Sequence, residues 1–332
     1  MKKLISLLAL LLSIVITAGG QSVQVATLTH DGAVSTYSGA NALRDAYSAA
    51  VDGDVITLSS GSFSSVNFEK RITVRGAGMG VKVNNADPYI APTILNGRFE
   101  IKADGDGNNY FKLEGVLCEE DVYLKGVNDA QFSKCKFLWL DYYAGEGGFE
   151  RTSFVNCVLN RAVICYNANM TFYGCFLNDF VAQSSGSHHT ITNCILVISE
   201  EYSFSDEPCV VKNSIYLNTN GYEYCKNHGT VFNSIWSGPI TPGTDCPFKN
   251  TLDSHNNTIV PEGTQLFKEG TFYQLTDEAK QYLGDDGTEV GIYGGSLPFN
   301  PRLTNPQITK FNVSPKTTAD GKLSVDIEVS AN

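Results

Sequence analysis

Hydrophobic and polar positions alternate along most of the chain, in short segments that recur about every 20 residues. The clearest segments read QFSKCKFL, SFVNCVLN, TFYGCFLN, TITNCILV, VVKNSIYL and TVFNSIWS, centred on Cys135, Cys157, Cys175, Cys194, Ser214 and Ser234. The intervals between successive centres are 22, 18, 19, 20 and 20 residues. Their β-branched and aromatic residues follow a period of two, without helical spacing. The pattern predicts an all-β solenoid of parallel strands, in which each rung buries its apolar face against its neighbours.

The position before each centre predicts a sharp bend in every rung. This position is occupied by Lys134, Asn156, Gly174, Asn193, Asn213 and Asn233. Asn and Gly tolerate a left-handed backbone better than other residues do. We therefore expect one bend per rung, with stacked Asn side chains that hydrogen-bond along the coil. Lys134 is the exception in this series.

The centres themselves predict a buried ladder of small side chains. In register, Cys135, Cys157, Cys175 and Cys194 form one inward column that Ser214 and Ser234 continue, with rungs about 4.8 Å apart. That spacing does not by itself forbid a disulfide, but parallel side chains in register give a poor geometry for one. Ligands on one side of a column also cannot surround a zinc ion. We therefore predict free thiols in the ladder, while the redox state of the other cysteines stays open.

The chain ends predict different structures from the repeats. Residues 40–50 contain helix formers with Leu43, Ala46 and Tyr47 on one face, and the strand VITLSS follows. We predict an N-terminal cap over residues 21–54, which includes a short helix. The coil then spans residues 55–296. Residues 297–332 then form a connector rich in Pro and Asn and a C-terminal β-hairpin.

The first twenty residues have the composition of a secretory signal peptide. Two lysines precede an apolar run from Leu4 to Ala18, and small residues follow at Gly19 and Gly20. The run is short for a membrane span of about 20 residues, although an uncleaved anchor is the alternative. We therefore predict a signal peptide over residues 1–20, no transmembrane segment, and a secreted, periplasmic or cell-surface protein.

Composition and charge narrow the class of partner. The chain is 42% hydrophobic and 18% charged, which is typical of a folded protein. Its net charge of −11 argues against nucleic acid, whose affinity depends on Lys and Arg at the phosphates. We expect a monomer that does not bind nucleic acid.

Two stretches resemble a known superfamily. The short helix followed by GDVITLSSGSF and KRITVRGAGMG resembles the N-terminal cap and first turns of pectate-lyase-like proteins. FYQLTDEAKQYLGDDGTEVGIYGG resembles the closing segment of secreted bacterial β-helix proteins. The resemblance covers about residues 40–295 and implies a right-handed parallel β-helix. The superfamily contains lyases, hydrolases, esterases and non-catalytic proteins, so the fold alone does not give the function.

No catalytic signature of a characterised subfamily is present. Polygalacturonase-like hydrolases require an Asn-Thr-Asp, an Asp-Asp pair and a Gly-His-Gly, whereas this chain has only Asn227-His228-Gly229 and an Asp285-Asp286 pair in the closing segment. Neither the pectin esterase motifs nor the paired arginines of pectate lyases are found. The sequence leaves open whether the protein is an enzyme; if it is one, we expect a polysaccharide lyase or a glycoside hydrolase.

A candidate ligand site emerges four residues beyond three of the centres. Trp139, Arg161 and Asp179 occupy this offset on successive rungs. An aromatic ring beside a charge pair is typical of sugar binding, because the ring stacks on a pyranose face and the charges bond hydroxyls. The alternative is a surface salt bridge next to a half-buried tryptophan.

No motif supports a cofactor. Glu200-Glu201 and Asp206-Glu207 form an acidic run that calcium could use together with loop carbonyls. A solvated loop explains the same residues, so we predict no cofactor and no metal site.

The sequence is consistent with two functions. The first is a secreted protein that recognises, and in its stronger form cleaves, a polysaccharide along the side of the coil. The second is a non-catalytic structural or adhesive surface protein, with the coil as a rigid spacer and the C-terminal hairpin as the contact element.

Overall fold

Parallel strands stack into two long sheets, and the chain is an all-β parallel β-helix as the repeat predicts. The structure is a computed structural model that describes residues 24–142, 149–165, 168–183, 188–198, 210–218, 230–238, 255–261, 263–303, 307–317 and 323–330. The predicted signal peptide, the acidic run at residues 200–207 and the Asn227-His228-Gly229 motif lie outside these residues.

The first sheet carries one short strand of each rung, and its parallel strands each place an apolar residue inside the coil. The inward residues of the central rungs include Phe132, Phe154 and Phe172, whose rings stack at centroid distances of 4.7 and 5.0 Å. The parallel strands are Val55–Leu58, Thr73–Arg75, Lys112–Glu114, Gln131–Ser133, Phe149–Val155, Ala168–Tyr173, Thr190–Thr192, Val210–Lys212 and Thr230–Phe232. Stacked rings at this spacing keep the rungs in register.

The second sheet follows the first in every rung, after one bend. Its strands are Gly61–Ser64, Thr93–Asn96, Val116–Leu124, Lys136–Tyr142, Val158–Leu159, Phe176–Asn178, Ile195–Ile198, Ile215–Asn218, Ile235–Ser237 and Thr258–Ile259. From Val158 to Ile235, the outward position of this sheet is as apolar as the inward one. Such a sheet must be covered on both faces.

A third set of strands, here called the side face, closes the coil. Two strands of the second sheet, Val116–Leu124 and Lys136–Tyr142, run past a bend, and their far ends pair with each other and with the strands Phe99–Ile101 and Ala162–Cys165. The strand Phe180–Gln183 pairs in turn with Ala162–Cys165. Each rung here therefore has a first bend, between the first and second sheets, and a second bend, between the second sheet and the side face.

The first bend has the left-handed backbone that the repeat predicts. Lys134, Asn156, Gly174, Asn193, Asn213 and Asn233 have φ angles between 46° and 61°. Lys134, the exception in sequence, adopts the same conformation as the others. The rung geometry therefore fixes the backbone at this position even where the residue is not Asn or Gly.

The small residues after the first bend form a hydrogen-bonded ladder. The backbone N–H of Cys157 donates to Cys175 Sγ at 3.4 Å, and the N–H of Cys175 donates to Cys194 Sγ at 3.4 Å. The same contact continues through Ser214 and Ser234 at 3.0 Å each. Cys135, Cys157, Cys175 and Cys194 are buried free thiols. Cys and Ser thus share a role that an aliphatic residue lacks. At the bend the backbone N–H has no carbonyl partner in the sheet, and the sulfur or oxygen of the next rung accepts its hydrogen bond.

The N-terminal end of the coil is covered by a hairpin and a helix. The strands Val25–His30 and Ala33–Ser38 pair antiparallel, and the first of them also pairs antiparallel with Val55–Leu58. The helix Ala42–Ala49 buries Ala42, Leu43 and Ala46 against the end of the core. This cap covers the open strand edge and apolar interior that the first rung would otherwise expose.

Residues 263–303, here called the strap, run back along the outside of the second sheet. Apolar strap residues such as Leu275, Val290 and Phe299 form a second buried cluster with the outward column of the sheet, whose members are Val158, Phe176, Ile195, Ile215 and Ile235. The 3₁₀ turn Ala279–Gln281 is part of the strap. The final strap residues, from Leu297 to Leu303, were assigned by the sequence to the connector, yet Phe299 and Leu303 are buried.

The C-terminal strands Gln307–Thr317 and Leu323–Ser330 pair antiparallel, on either side of Asp320-Gly321. Among the described residues, each pairs with the other alone. A hairpin of this kind has two strand edges that another chain can extend.

Candidate functional site

The predicted ligand residues lie together at the second bend. Leu140 pairs in register with Ala162, and Ala162 pairs with Phe180. Trp139, Arg161 and Asp179 immediately precede these three inward residues and therefore stack in one column along the coil. Each of the three residues lies four positions after its ladder residue, Cys135, Cys157 or Cys175. The count places them in one column because the segment between the first and second bends has the same number of residues in these three rungs.

Trp139 and Arg161 form a cation–π pair. The guanidinium carbon of Arg161 lies 4.6 Å from the centroid of the Trp139 ring. Trp139 nevertheless keeps 43% of its surface exposed, which is unusual for so large an apolar side chain. Arg161 Nε is buried and has no hydrogen-bond partner among the described residues. The arginine thus packs against the ring while part of the indole surface stays exposed.

Asp179 extends the column by one more rung. Its backbone is left-handed, with a φ angle of 46°. Asn178 Nδ2 donates to Asp179 Oδ2 at 3.3 Å and to the carbonyl of Asn160 at 2.9 Å. The amide of Asn178 therefore links this bend to the bend of the rung that carries Arg161.

Two residues that the sequence did not single out extend the same column in the other direction. Trp139 pairs in register with Asp121, and Arg98 immediately precedes Phe99, the partner of Val122. Arg98 and Asp121 form an ion pair at 2.5 Å. The offset rule missed Asp121 because the strand Val116–Leu124 carries one extra residue opposite Phe137 to Trp139.

A second outward column lies beside the first on the side face. Glu100, Tyr123 and Asp141 are register neighbours on successive rungs. Tyr123 donates its hydroxyl hydrogen to Asp121 Oδ2 at 3.2 Å, and the guanidinium of Arg98 lies 5.3 Å from the centroid of the Tyr123 ring. The two columns therefore interlock through Tyr123, which pairs an aromatic ring with an arginine as Trp139 does.

The charges around Asp141 differ from those around its neighbours. Burial raises the pKa of the Asp141 carboxyl, and the nearby charge of Asp121 raises the pKa further, while Arg161 and Arg98 oppose the shift. Glu100 is instead paired with two lysines, Lys102 at 2.7 Å and Lys125 at 2.5 Å, and its pKa is lowered. The side face therefore presents one carboxyl with raised proton affinity among paired charges.

Several side chains of the first bend bind the strap. Asn156 Nδ2 donates to the carbonyl of Pro298 at 3.4 Å, and Lys134 Nζ donates to the carbonyl of Arg302. At the far end, Asn256 Nδ2 donates to Asn233 Oδ1 at 3.0 Å. The predicted bonding of Asn side chains along the coil occurs at this last pair, whereas Asn156 bonds the strap.

The Asp285-Asp286 pair also has structural partners. Asp285 Oδ1 accepts a hydrogen bond from Asn213, and Asp286 Oδ1 accepts from the backbone and hydroxyl of Thr288. Asp285 therefore joins the strap to the first bend of the coil, whereas Asp286 stabilises a turn within the strap.

Within the described ranges, no group of three or more His, Cys, Asp or Glu side chains is arranged to hold a metal ion. The acidic run Glu200-Glu201 and Asp206-Glu207, the alternative calcium site, falls outside those ranges. No helix in the described part of the chain has the length and apolar composition needed to span a bilayer.

The fold defines the protein as a parallel β-solenoid with a capped N-terminal end and a strap along one sheet. No protein-family model, no curated protein and no solved structure matches the chain. The functional argument therefore depends on the side chains of the second bend and the side face.

Proposed function

We propose that the protein is a secreted β-helix protein that recognises a polysaccharide along the second bend and the side face of the coil. The observation that carries the proposal is the exposed Trp139 ring, held against Arg161 in a column of charged residues. Sugar-binding sites use this combination, because an aromatic ring stacks on the apolar face of a pyranose and charged groups bond its hydroxyls.

The direction of the column favours a linear ligand. Arg98, Asp121, Trp139, Arg161 and Asp179 contribute one side chain per rung, at the strand spacing of about 4.8 Å. A polymer lying along the coil axis would meet a new side chain at each rung. A single sugar would contact only two or three of them.

The strap supports the same location. It covers the outward face of the second sheet, where Ile195 and Ile215 are buried under it. Its contacts with the coil lie on that sheet and on the first bend. A ligand that binds beside the second bend would therefore not have to displace it.

The resemblance of residues 40–295 to pectate-lyase-like proteins and the signal-like first twenty residues add support from sequence. Many proteins of that superfamily act on polysaccharides outside the cytoplasm. Export would place the side face in contact with extracellular glycans.

The test is affinity electrophoresis of the protein in gels that contain arabinoxylan, galactomannan, β-glucan or polygalacturonate. We expect at least one polysaccharide to retard the protein and Trp139→Ala to weaken that retardation by about tenfold or more, which corresponds to about 1.4 kcal/mol. Arg161→Ala should weaken it less, through loss of ring support. Tyr89→Ala is the matched control, because Tyr89 is 64% exposed and lies near the strap residues Pro301 and Arg302.

Unchanged mobility in all four gels, or equal retardation of Trp139→Ala and the unmodified protein, would contradict the proposal. Equal losses in Trp139→Ala and Tyr89→Ala would indicate a general surface effect and would also count against this site.

The C-terminal hairpin favours a second candidate function, adhesion. Its strands Gln307–Thr317 and Leu323–Ser330 have free edges among the described residues. Deletion of residues 304–332 keeps the buried Leu303 and should therefore leave the coil intact. If the protein is an adhesin, this deletion abolishes attachment to cells while retardation by polysaccharide stays unchanged.

A further inference from the structure

A cavity of about 230 Å³, here called the strap cavity, lies between the strap and the C-terminal end of the coil. Its coil side includes Asn233 and Asn256, which are the bend residues of two successive rungs and have φ angles of 46° and 54°. Its strap side is formed by Gln281, Tyr282 and Leu283. The strap cavity therefore lies at the first bend, whereas the column of Trp139 and Arg161 lies at the second.

The strap occupies the equivalent space over the two preceding bends. Over Asn193, Gly294 packs so closely that a Cβ atom on it would lie 2.8 Å from Asn193 Nδ2. Over Asn213, Asp285 takes both side-chain hydrogen bonds. At Asn233 the side chain has no bond to any described strap residue, and the cavity takes the place of that contact.

Polar groups with unused hydrogen-bonding capacity line the strap cavity. Asn256 Nδ2 donates to Asn233 Oδ1, which leaves Asn233 Nδ2 and Asn256 Oδ1 without a partner among the described residues. The side chains of Thr258, Gln281 and Tyr282 likewise make no hydrogen bond within the described ranges. The lining therefore offers donors and acceptors side by side, and none of its described residues is charged.

This lining selects a class of ligand. An anion needs donors and a metal ion needs acceptors, whereas a hydroxyl group donates and accepts at once. Ile235 and Val290, both buried, add an apolar floor between the polar walls. A sugar ring has hydroxyls at its edge and C–H groups on its face, so it matches both parts of the lining.

We propose that the strap cavity binds a single neutral monosaccharide. Sites for drug-sized molecules measure about 300–1,000 Å³, so a volume of about 230 Å³ suits a smaller ligand with one ring. The amides of Asn233, Asn256 and Gln281 and the Tyr282 hydroxyl bond the sugar hydroxyls. This site is separate from the polysaccharide surface proposed above and does not depend on it.

The experiment is a saturation-transfer difference NMR titration of the whole protein with glucose, galactose, mannose and xylose, and with galacturonate as the charged comparison. We expect at least one neutral sugar to bind, and galacturonate to bind more weakly because the lining offers its carboxylate no cation. Gln281→Ala and Tyr282→Phe each remove hydrogen-bonding groups of the strap wall and should raise the Kd about 3- to 10-fold. Gln265→Ala is the matched control, because Gln265 is an exposed strap glutamine that does not line the cavity.

Trp139→Ala separates the two sites. It should leave monosaccharide binding unchanged, so the strap cavity can fail while polysaccharide recognition stands, and the reverse. Loss of monosaccharide binding in Trp139→Ala, with Gln281→Ala and Tyr282→Phe unaffected, would place the sugar at the second bend and overturn the proposal. The absence of a signal from all four neutral sugars would overturn it as well, as would tighter binding of galacturonate than of any of them.

Discussion

Asn213 and Asp285 bind each other through two reciprocal hydrogen bonds. Asn213 Nδ2 donates to Asp285 Oδ1 at 2.7 Å, and the backbone N–H of Asp285 donates to Asn213 Oδ1 at 3.1 Å. The carbonyl of Asn213 also accepts a hydrogen bond from the N–H of Gly291 at 2.8 Å. One residue of the first bend therefore holds the strap at two points, 285 and 291, while its own backbone stays left-handed with a φ angle of 51°.

Replacing Asn213 should loosen the strap. Asn213→Ala removes both side-chain bonds and places alanine in a left-handed conformation, so we expect a loss of about 2–4 kcal/mol in the free energy of unfolding. Asn213→Gly removes the same bonds without the backbone cost and should lose about 1–3 kcal/mol. Denaturant unfolding measures both values, and limited proteolysis reports release of the strap.

Asp285→Ala separates the two contributions, because it removes one side-chain bond and leaves the backbone N–H of residue 285 in place. It should be the mildest of the three variants. If Asn213→Gly is as stable as the unmodified protein, the reciprocal bonds contribute nothing and the strap is held by its apolar contacts alone.

The sequence predicted the bend at Asn213 but not the strap that covers it. A left-handed backbone is a local property, and Asn and Gly report it directly. The strap is a long-range contact, and residues 263–303 carry no repeat that would place them. A signal was nevertheless present, because the outward positions of the second sheet are Val158, Phe176 and Ile195, where a sheet facing water would alternate with polar residues.

The ladder predicts which substitutions Cys175 tolerates. Its Sγ accepts the N–H of Cys157 at 3.4 Å and contacts the carbonyl of Tyr173 at 3.4 Å. Cys175→Ser should cost less than about 1.5 kcal/mol, since Ser214 and Ser234 already fill the same role. Cys175→Ala leaves the buried N–H of Cys157 without an acceptor and should cost about 1–3 kcal/mol more. Thermal and denaturant unfolding of the two variants provide the comparison, and equal stability would show that the sulfur acts only as an apolar filler.

The thiols of Cys157 and Cys194 should resist modification in the folded protein. Burial raises the pKa of the Cys157 and Cys194 thiols well above the ordinary value, so the reactive thiolate is scarce. We expect iodoacetamide to leave peptides with these cysteines unlabelled at pH 8 and to label them fully after denaturation. Peptide mass spectrometry provides the readout for each cysteine separately. Rapid native labelling of Cys157 or Cys194 would mean that the coil opens at the ladder.

The candidate site shows what register contributes beyond spacing. Trp139, Arg161 and Asp179 share an offset from the ladder, so counting residues sufficed to group them. Asp121 and Asp141 could not be grouped with them in the same way. The strand of Asp121 carries a register shift, and Asp141 lies on the side face, which begins only after the second bend. One extra residue in a strand changes which residues lie opposite each other on neighbouring rungs. The repeat pattern of the sequence does not show such an insertion.

His189 predicts a loss of stability in mild acid. It is 1% exposed, neither ring nitrogen has a hydrogen-bond partner among the described residues, and its ring lies 6.4 and 6.2 Å from the rings of Phe172 and Phe180. Burial, together with the nearby His188, lowers its pKa from 6.5 to about 4. Between these two values the unfolded chain binds a proton that the folded protein does not. Stability should therefore be full above pH 6.5 and fall as the pH drops toward 4, by about 3 kcal/mol in all from this group.

Denaturant unfolding at a series of pH values tests this loss, with two variants as controls. His189→Phe keeps an aromatic ring beside Phe172 and Phe180 but cannot be protonated, so its stability should fall less between pH 6.5 and 4. His188→Gln removes the exposed neighbour and should keep most of the slope of the unmodified protein. If the slopes of His189→Phe and the unmodified protein coincide, the acid sensitivity arises from other groups and His189 is not buried as a neutral ring.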